Sequence, residues 1–236
     1  MKPRTCIPCE KIEQDCYEWY DRHASKLEEV KTKRADIVFI GDSITHFFSA
    51  EDGVCNGAEV WEEYYGKRNV LNLGYGFDRT QNMLWRIQHG ELENQSPKLF
   101  VLNVGTNQFS CTPNYSGDTA ADAFEGVKLL IETLAERFPQ ALILVMALFP
   151  RRGEVTGGAT IQSRIDELNL LVSDYIRKQN RETLKFVDIC AKMRKPDGSF
   201  EPANYADGWC HPNNAGYRIW AEAIEPEIQR ILGEKN

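Results

Sequence analysis

Residues able to do acyl-transfer chemistry stand directly after short apolar runs in this sequence. Gly41-Asp42-Ser43-Ile44-Thr45-His46 follows the first run. A glycine there permits a tight turn, and Ser43 would open a helix with its hydroxyl at the positive end of the helix dipole. Attack by that hydroxyl builds negative charge where the dipole favours it. A serine in this place is as often a plain N-cap. His211, in Asp207-Gly208-Trp209-Cys210-His211-Pro212-Asn213, is the one histidine of four preceded within a turn by a carboxylate and followed by a helix start. A carboxylate bonded to one ring nitrogen fixes the tautomer and leaves the other nitrogen to take a proton from a serine. His46 lies so near Ser43 that it reads as lining a pocket. His23 and His89 sit in helical, charged surroundings and read as surface residues.

Two further loops could serve the charge that such an attack creates. Gly105-Thr106-Asn107-Gln108 places an amide at a strand end beside a glycine. Gly74-Tyr75-Gly76-Phe77-Asp78-Arg79 offers backbone N–H groups. The backbone N–H groups of Ser43 and Gly74 with the Asn107 side-chain amide would make an oxyanion hole, each donor worth about 3–4 kcal/mol of transition-state stabilisation. Taken alone, Asn107 is an ordinary turn residue. The second loop also imitates the dinucleotide pattern G-x-G-x-x-G, but Arg79 occupies the third glycine position and the loop follows the second strand, not the first.

These residues need a scaffold that brings strand ends together. Five nearly continuous apolar runs, 36–40, 69–73, 98–104, 141–147 and 184–188, read as strands covered on both faces. Apolar residues at helical spacing (Phe124 to Phe138, Ile161 to Tyr175, Tyr217 to Ile231) alternate with them, Pro226 marking a kink in the last. The pattern predicts a three-layer α/β/α, flavodoxin-like domain with a five-stranded parallel sheet and right-handed crossovers. Residues 1–236 read as one domain, with 1–34 an N-terminal helical extension whose helix runs from Glu10 to Thr32. In such sheets ligands bind beyond the carboxyl ends of the strands, near the switch in strand order.

Composition excludes several classes. With 236 residues the chain can bury a full core. Aromatic residues at 11% beside long apolar runs exclude disorder. The longest apolar run, Ala141 to Phe149, is half a membrane span. A net charge of −7 without a Lys/Arg stripe argues against nucleic acid. Seven cysteines, odd in number and irregularly spaced, and a polar N-terminus point to a cytoplasmic, reducing location, or to a secreted one if a leader has been removed. Cys6-Ile-Pro-Cys9 lacks the preceding strand of a redox site and the four ligands of a zinc site, so it reads as a frayed, incidental pair.

Ser43, Gly74, Asn107 and His211, in four separated blocks, together resemble the GDSL, or SGNH, hydrolase family, in order and in spacing, from about Asp36 to the final helix. Leu84-Trp85-Arg86-Ile87-Gln88-His89-Gly90-Glu91-Leu92-Glu93-Asn94 and Pro150-Arg151-Arg152-Gly153-Glu154 look like the catalytic subunits of intracellular platelet-activating factor acetylhydrolases, and bacterial acetyl esterases are similar. The resemblance implies ester hydrolysis without metal or other cofactor, by a Ser43-His211-Asp207 triad through an acyl-enzyme, on small O-acetyl esters of carbohydrate or lipid. It suggests a homodimer and an acyl pocket walled by Asp42, Tyr75, Trp85 and Trp209, with Trp61 and Phe77, although these aromatics read equally well as core. Asp207 stands four residues before His211 where the family has three, Cys210 being extra. Gln108 stands where the family often has Asp. The alternatives are a lysophospholipase or thioesterase of the same fold, and a non-catalytic α/β ligand-binding module.

Overall fold

The computed structural model describes residues 2–53, 55–153 and 160–234. Glu154, the last residue of the Pro150–Glu154 stretch, lies outside them. The apolar runs form β1 (Ile37–Gly41), β2 (Val70–Gly74) and β3 (Leu99–Asn103), then, after a small hairpin of β4 (Cys111–Thr112) and β5 (Tyr115–Ser116), β6 (Leu142–Met146) and β7 (Leu184–Val187). The five long strands make one parallel sheet in the order β2-β1-β3-β6-β7. Gly41 pairs with both Gly74 and Asn103, so β1, β2 and β3 end level and their three loops start side by side.

Helices cover both faces because strand side chains alternate between them. Val38, Ile40, Phe100 and Leu102 pack with α4 (Thr80–Gln88), α5 (Ala120–Arg137) and α6 (Ile161–Gln179), joined by Val30 of α1 (Trp19–Thr32). Ile37, Phe39, Leu99 and Val101 pack on the other face with α2 (Ser43–His46), α3 (Ala58–Tyr65) and α7 (Asn214–Leu232). This is the expected three-layer architecture. Among the described residues no helix is long and apolar enough to cross a membrane.

Several expectations change. α7 continues through Pro226 as one helix. The N-terminal helix begins at Trp19, not Glu10. The stretch before it is an arm laid against α4, α5 and the hairpin, not a frayed end. Thr5 Oγ1 donates to Asp122 O at 2.6 Å, Thr80 Oγ1 donates to Thr5 O at 2.8 Å, and Cys9 N–H donates to Gln81 O at 3.2 Å. Cys6 is buried there. His23 is no surface residue. It is buried against Glu91, to which its Nδ1 donates at 2.9 Å, while His89 is exposed.

Candidate active site

The first loop turns sharply after β1. A Cβ on Gly41 would fall 2.0 Å from Thr45 Oγ1 and 2.6 Å from Asn103 O, so only glycine lets α2 start there. Asp42, not Ser43, is the N-cap: its Oδ1 accepts from Ile44 N–H at 2.9 Å. Burial pushes the Asp42 carboxyl up to about 7, against the opposing pull of that N–H and of Arg151. Ser43 is thereby left free of capping, at the first position of the helix.

The fifth-strand loop brings its histidine to that serine. With the proton on His211 Nδ1, that nitrogen donates to Asp207 Oδ2 at 2.6 Å, and Nε2 accepts from Ser43 Oγ–H at 2.9 Å. The extra residue between Asp207 and His211 is absorbed by a tight turn with Gly208 at φ +73°. Asp207 Oδ1 accepts from Trp209 N–H at 2.9 Å and Cys210 N–H at 2.8 Å. Burial alone would raise the Asp207 carboxyl, but those N–H groups and His211 outweigh it and hold it below its usual range. Cys210 points inward, and burial pushes its thiol up to about 12. It is packing, with no free thiolate.

The amide of Asn107 arrives from a 3-10 turn after β3, Thr106–Phe109, and donates to Asp78 O at 3.2 Å. Among the described residues that amide nitrogen has no second acceptor, and Asn107 lines the same cavity as Ser43 and His211. Gln108, at the position the family often fills with Asp, donates to Asp118 Oδ2 at 3.0 Å and takes no part in the cavity.

Gly74 does not act as expected. Its N–H donates to Asn72 Oδ1 at 2.8 Å, and a Cβ on it would fall 2.2 Å from His46 N, so it serves close packing of α2 on β2. The residue of the second loop that reaches the cavity is Phe77, held at φ +60° and 37% exposed. Among the described residues its N–H has no hydrogen-bond partner. A bulky side chain in the left-handed region is a strained outlier of the kind that clusters at working sites. The sequence signal for it is weak, since a search for glycines passes over a phenylalanine.

The cavity, about 210 Å³, is walled further by Phe47, Trp209, Arg151 and Asp15. Trp209 is 40% exposed and carries the Arg151 guanidinium 5.0 Å above its ring. The other expected wall residues turn away. Asp42 is buried under the helix start, Tyr75 donates its OH to Glu91 at 2.5 Å, and Trp85 packs on Trp19, His23 and His89. Trp61 packs on Phe39, Phe48 and Tyr65 in the opposite core. His46 is fully buried, its Nε2 3.1 Å from Asp52 Oδ2; burial and the nearby Arg22 push it down to about 3. It does not line the cavity. Arg151 was the residue to seek at the end of the fourth long strand, where Pro150-Arg151 follows the run 141–147. It donates to Thr106 Oγ1 and Ser110 Oγ, both at 3.2 Å, and among the described residues its Nε has no hydrogen-bond partner.

Asp78 and Arg79 do not pair with each other. Asp78 binds Arg86 and Trp19, and Arg79 Nε donates to Asn107 O at 3.0 Å while its guanidinium lies 3.9 Å from the Tyr115 ring centroid.

A family model described as the GDSL-like lipase/acylhydrolase family matches residues 39–219, well over half of the chain. The bovine platelet-activating factor acetylhydrolase IB subunit alpha2 is 34% identical over 216 residues, covering 92% of this chain and 86% of that protein. Among solved structures, a GDSL-like lipase from Bacteroides thetaiotaomicron superposes with a TM-score of 0.69 at 20% identity, covering 89% of this chain and 97% of that one. An acetyl-xylooligosaccharide esterase from Geobacillus Stearmophilus gives 0.62 at 20% identity, with 84% and 96% covered.

Proposed function

The chain belongs to the GDSL-like lipase/acylhydrolase family, a family of carboxylic ester hydrolases, and from that premise we propose that it is a serine acetyl-esterase working through Ser43, His211 and Asp207. The observation that carries the reading is the unbroken relay from Asp207 Oδ2 through the imidazole to Ser43 Oγ, at 2.6 and 2.9 Å.

In this reading His211 takes the Ser43 proton as Oγ attacks the ester carbonyl carbon. The charge on the carbonyl oxygen is met by the N–H of Ser43, the N–H of Phe77 and the free N–H of the Asn107 amide. Phe77 here takes the role first read for Gly74. Return of the proton from His211 releases the alcohol and leaves the acyl group on Ser43. Water, deprotonated by His211, then attacks the acyl carbon, and the acid departs with Ser43 restored. Asp207, kept ionised by its loop, steadies the imidazolium in both halves.

A cavity of about 210 Å³ suits a short acyl group better than a long chain. Trp209 and Phe77, both partly exposed at its wall, offer flat apolar faces to the alcohol half of the ester. Acetyl specificity is supported by the names of the bovine acetylhydrolase subunit and the bacterial acetyl-xylooligosaccharide esterase. The substrate class is thus an O-acetyl ester of a carbohydrate or lipid. The relative's being a subunit supports assembly with a further chain; if that is a second copy, light scattering of the purified chain gives twice the monomer mass.

The test is acetate release from acetylated sugars, acetylated xylan and platelet-activating factor by wild type and Ser43→Ala. Release from at least one substrate, lost in Ser43→Ala, is expected. Equal release by the folded Ser43→Ala protein overturns the assignment.

A further inference from the structure

We propose that Trp19, on the N-terminal helix, is a positioning residue for this reaction: it pins the carboxylate of Asp78, whose backbone carbonyl in turn sets the aim of the Asn107 amide. The inference rests on the reading of Asn107 as an oxyanion donor.

The indole N–H of Trp19 donates to Asp78 Oδ1 at 2.8 Å, and Arg86 Nε donates to Asp78 Oδ2 at 2.8 Å. The Asp78 N–H closes a turn onto Tyr75 O at 3.1 Å, and its carbonyl accepts the Asn107 amide at 3.2 Å. One residue therefore has its side chain fastened to α1 and α4 and its main chain fastened to the third loop. Phe77, immediately before it, carries the second-loop donor of the reading. Tyr75, two residues earlier, is fastened to the same block through Glu91, which also binds Arg86 and His23.

The indole is held in one orientation. It is almost wholly buried, stacked on His23 at 5.6 Å and 27°, and flanked by Tyr75 at 5.7 Å and Trp85 at 5.6 Å. A buried carboxylate that loses one of two donors is left partly unsatisfied and turns toward the donor that remains, here Arg86. That rotation moves the peptide whose carbonyl receives Asn107. A displacement on the order of 1 Å at a reacting centre costs about a hundredfold in rate.

Trp19→Phe keeps the packed ring and removes the N–H. On p-nitrophenyl acetate its kcat should fall about tenfold to a hundredfold with KM little changed. A side chain that only filled the core would lower Tm and leave kcat of the folded protein alone. The decisive comparison is the same substitution in an Asn107→Ala background, where its cost should shrink to about twofold, because the group it aims is gone. An unchanged kcat in Trp19→Phe, or an equal loss in both backgrounds, overturns the proposal. Should Trp19→Phe fail to fold, Asp78→Asn is set against Asn107→Ala by the same criterion, with independent losses again overturning it. Ser43→Ala is assayed alongside. Activity surviving there defeats the serine-esterase reading itself, whereas an inactive Ser43→Ala with independent Trp19 and Asn107 losses defeats this inference only.

Discussion

Two aspartates hold residues that line the cavity, Asp207 through His211 and Asp78 through Asn107, and are themselves held in opposite ways. Asp207 sits on a half-buried loop, and two backbone N–H groups from the next three residues bind it, so it stays ionised below the usual carboxylate range. Asp78 lies fully behind the second loop, held by an indole 59 residues away and a guanidinium eight residues on, and burial pushes it up to about 6 despite both partners. The first is a local device, which in the proposed reaction tunes a proton relay. The second is a long-range device that trades electrostatic comfort for a rigid loop. Both are needed in the proposed reaction, one for the histidine and one for the donors facing it.

The largest expected effect comes from breaking the local device. Asp207→Asn should lower kcat by about four orders of magnitude, because the imidazole loses its tautomer, with the folded protein still recovered. Steady-state kinetics beside thermal unfolding would show it. On the other side the main loss is in stability. Arg86→Met leaves Asp78 and Glu91 buried without their cation and should cost about 3–5 kcal/mol, read as a shift in the urea midpoint.

The pH dependence should have opposite signs at the two sites. Because the folded-state pKa of Asp78 is raised, the native protein holds that proton to higher pH. Stability relative to Asp78→Asn should then fall by on the order of 3 kcal/mol as pH rises through about 6. Asp207, with its pKa lowered, stabilises the fold at neutral pH, and that contribution is lost as pH falls below the ordinary carboxylate value. Urea midpoints of wild type against Asp78→Asn at pH 4 and pH 7.5, and of wild type against Asp207→Asn at pH 2.5 and pH 5, measure both slopes; slopes of the same sign would erase the contrast.

The smallest effect concerns Phe77. Phe77→Gly relieves a left-handed φ but adds freedom to the unfolded chain, so stability should change by less than about 1 kcal/mol. Its kcat should be kept, since the N–H remains, while KM rises as the exposed ring is lost from the cavity wall. A large fall in kcat would show that the ring, not the backbone, does the work.

What was legible in the sequence follows the same division. The five parallel strands and the residues directly after them could be read because apolar runs and strand-end residues are local signals. Ser43, Asn107 and His211 were found that way, and the structure brings them to one cavity. Gly74 answers a packing need, its would-be Cβ 2.2 Å from His46 N, while the residue of that loop that reaches the cavity is a strained phenylalanine, which no glycine signal marks. Tyr75 and Trp85 read as pocket residues, and His23 as a surface one, because nothing local tells that Glu91 and Trp19 draw them into a buried network. Arg151 lines the cavity from beyond the end of β6, where an arginine after a proline carries no local signal of a site.

The central claim is that Ser43 is the nucleophile that the Asp207–His211 relay activates. Its most direct test is to treat the protein with a serine-reactive organophosphonate and map the adduct by peptide mass spectrometry while following p-nitrophenyl acetate hydrolysis. One phosphonate per chain on Ser43, formed in step with loss of activity and absent from His211→Ala, is the predicted result. Full activity with no adduct, or inactivation with the adduct on another residue, would contradict it.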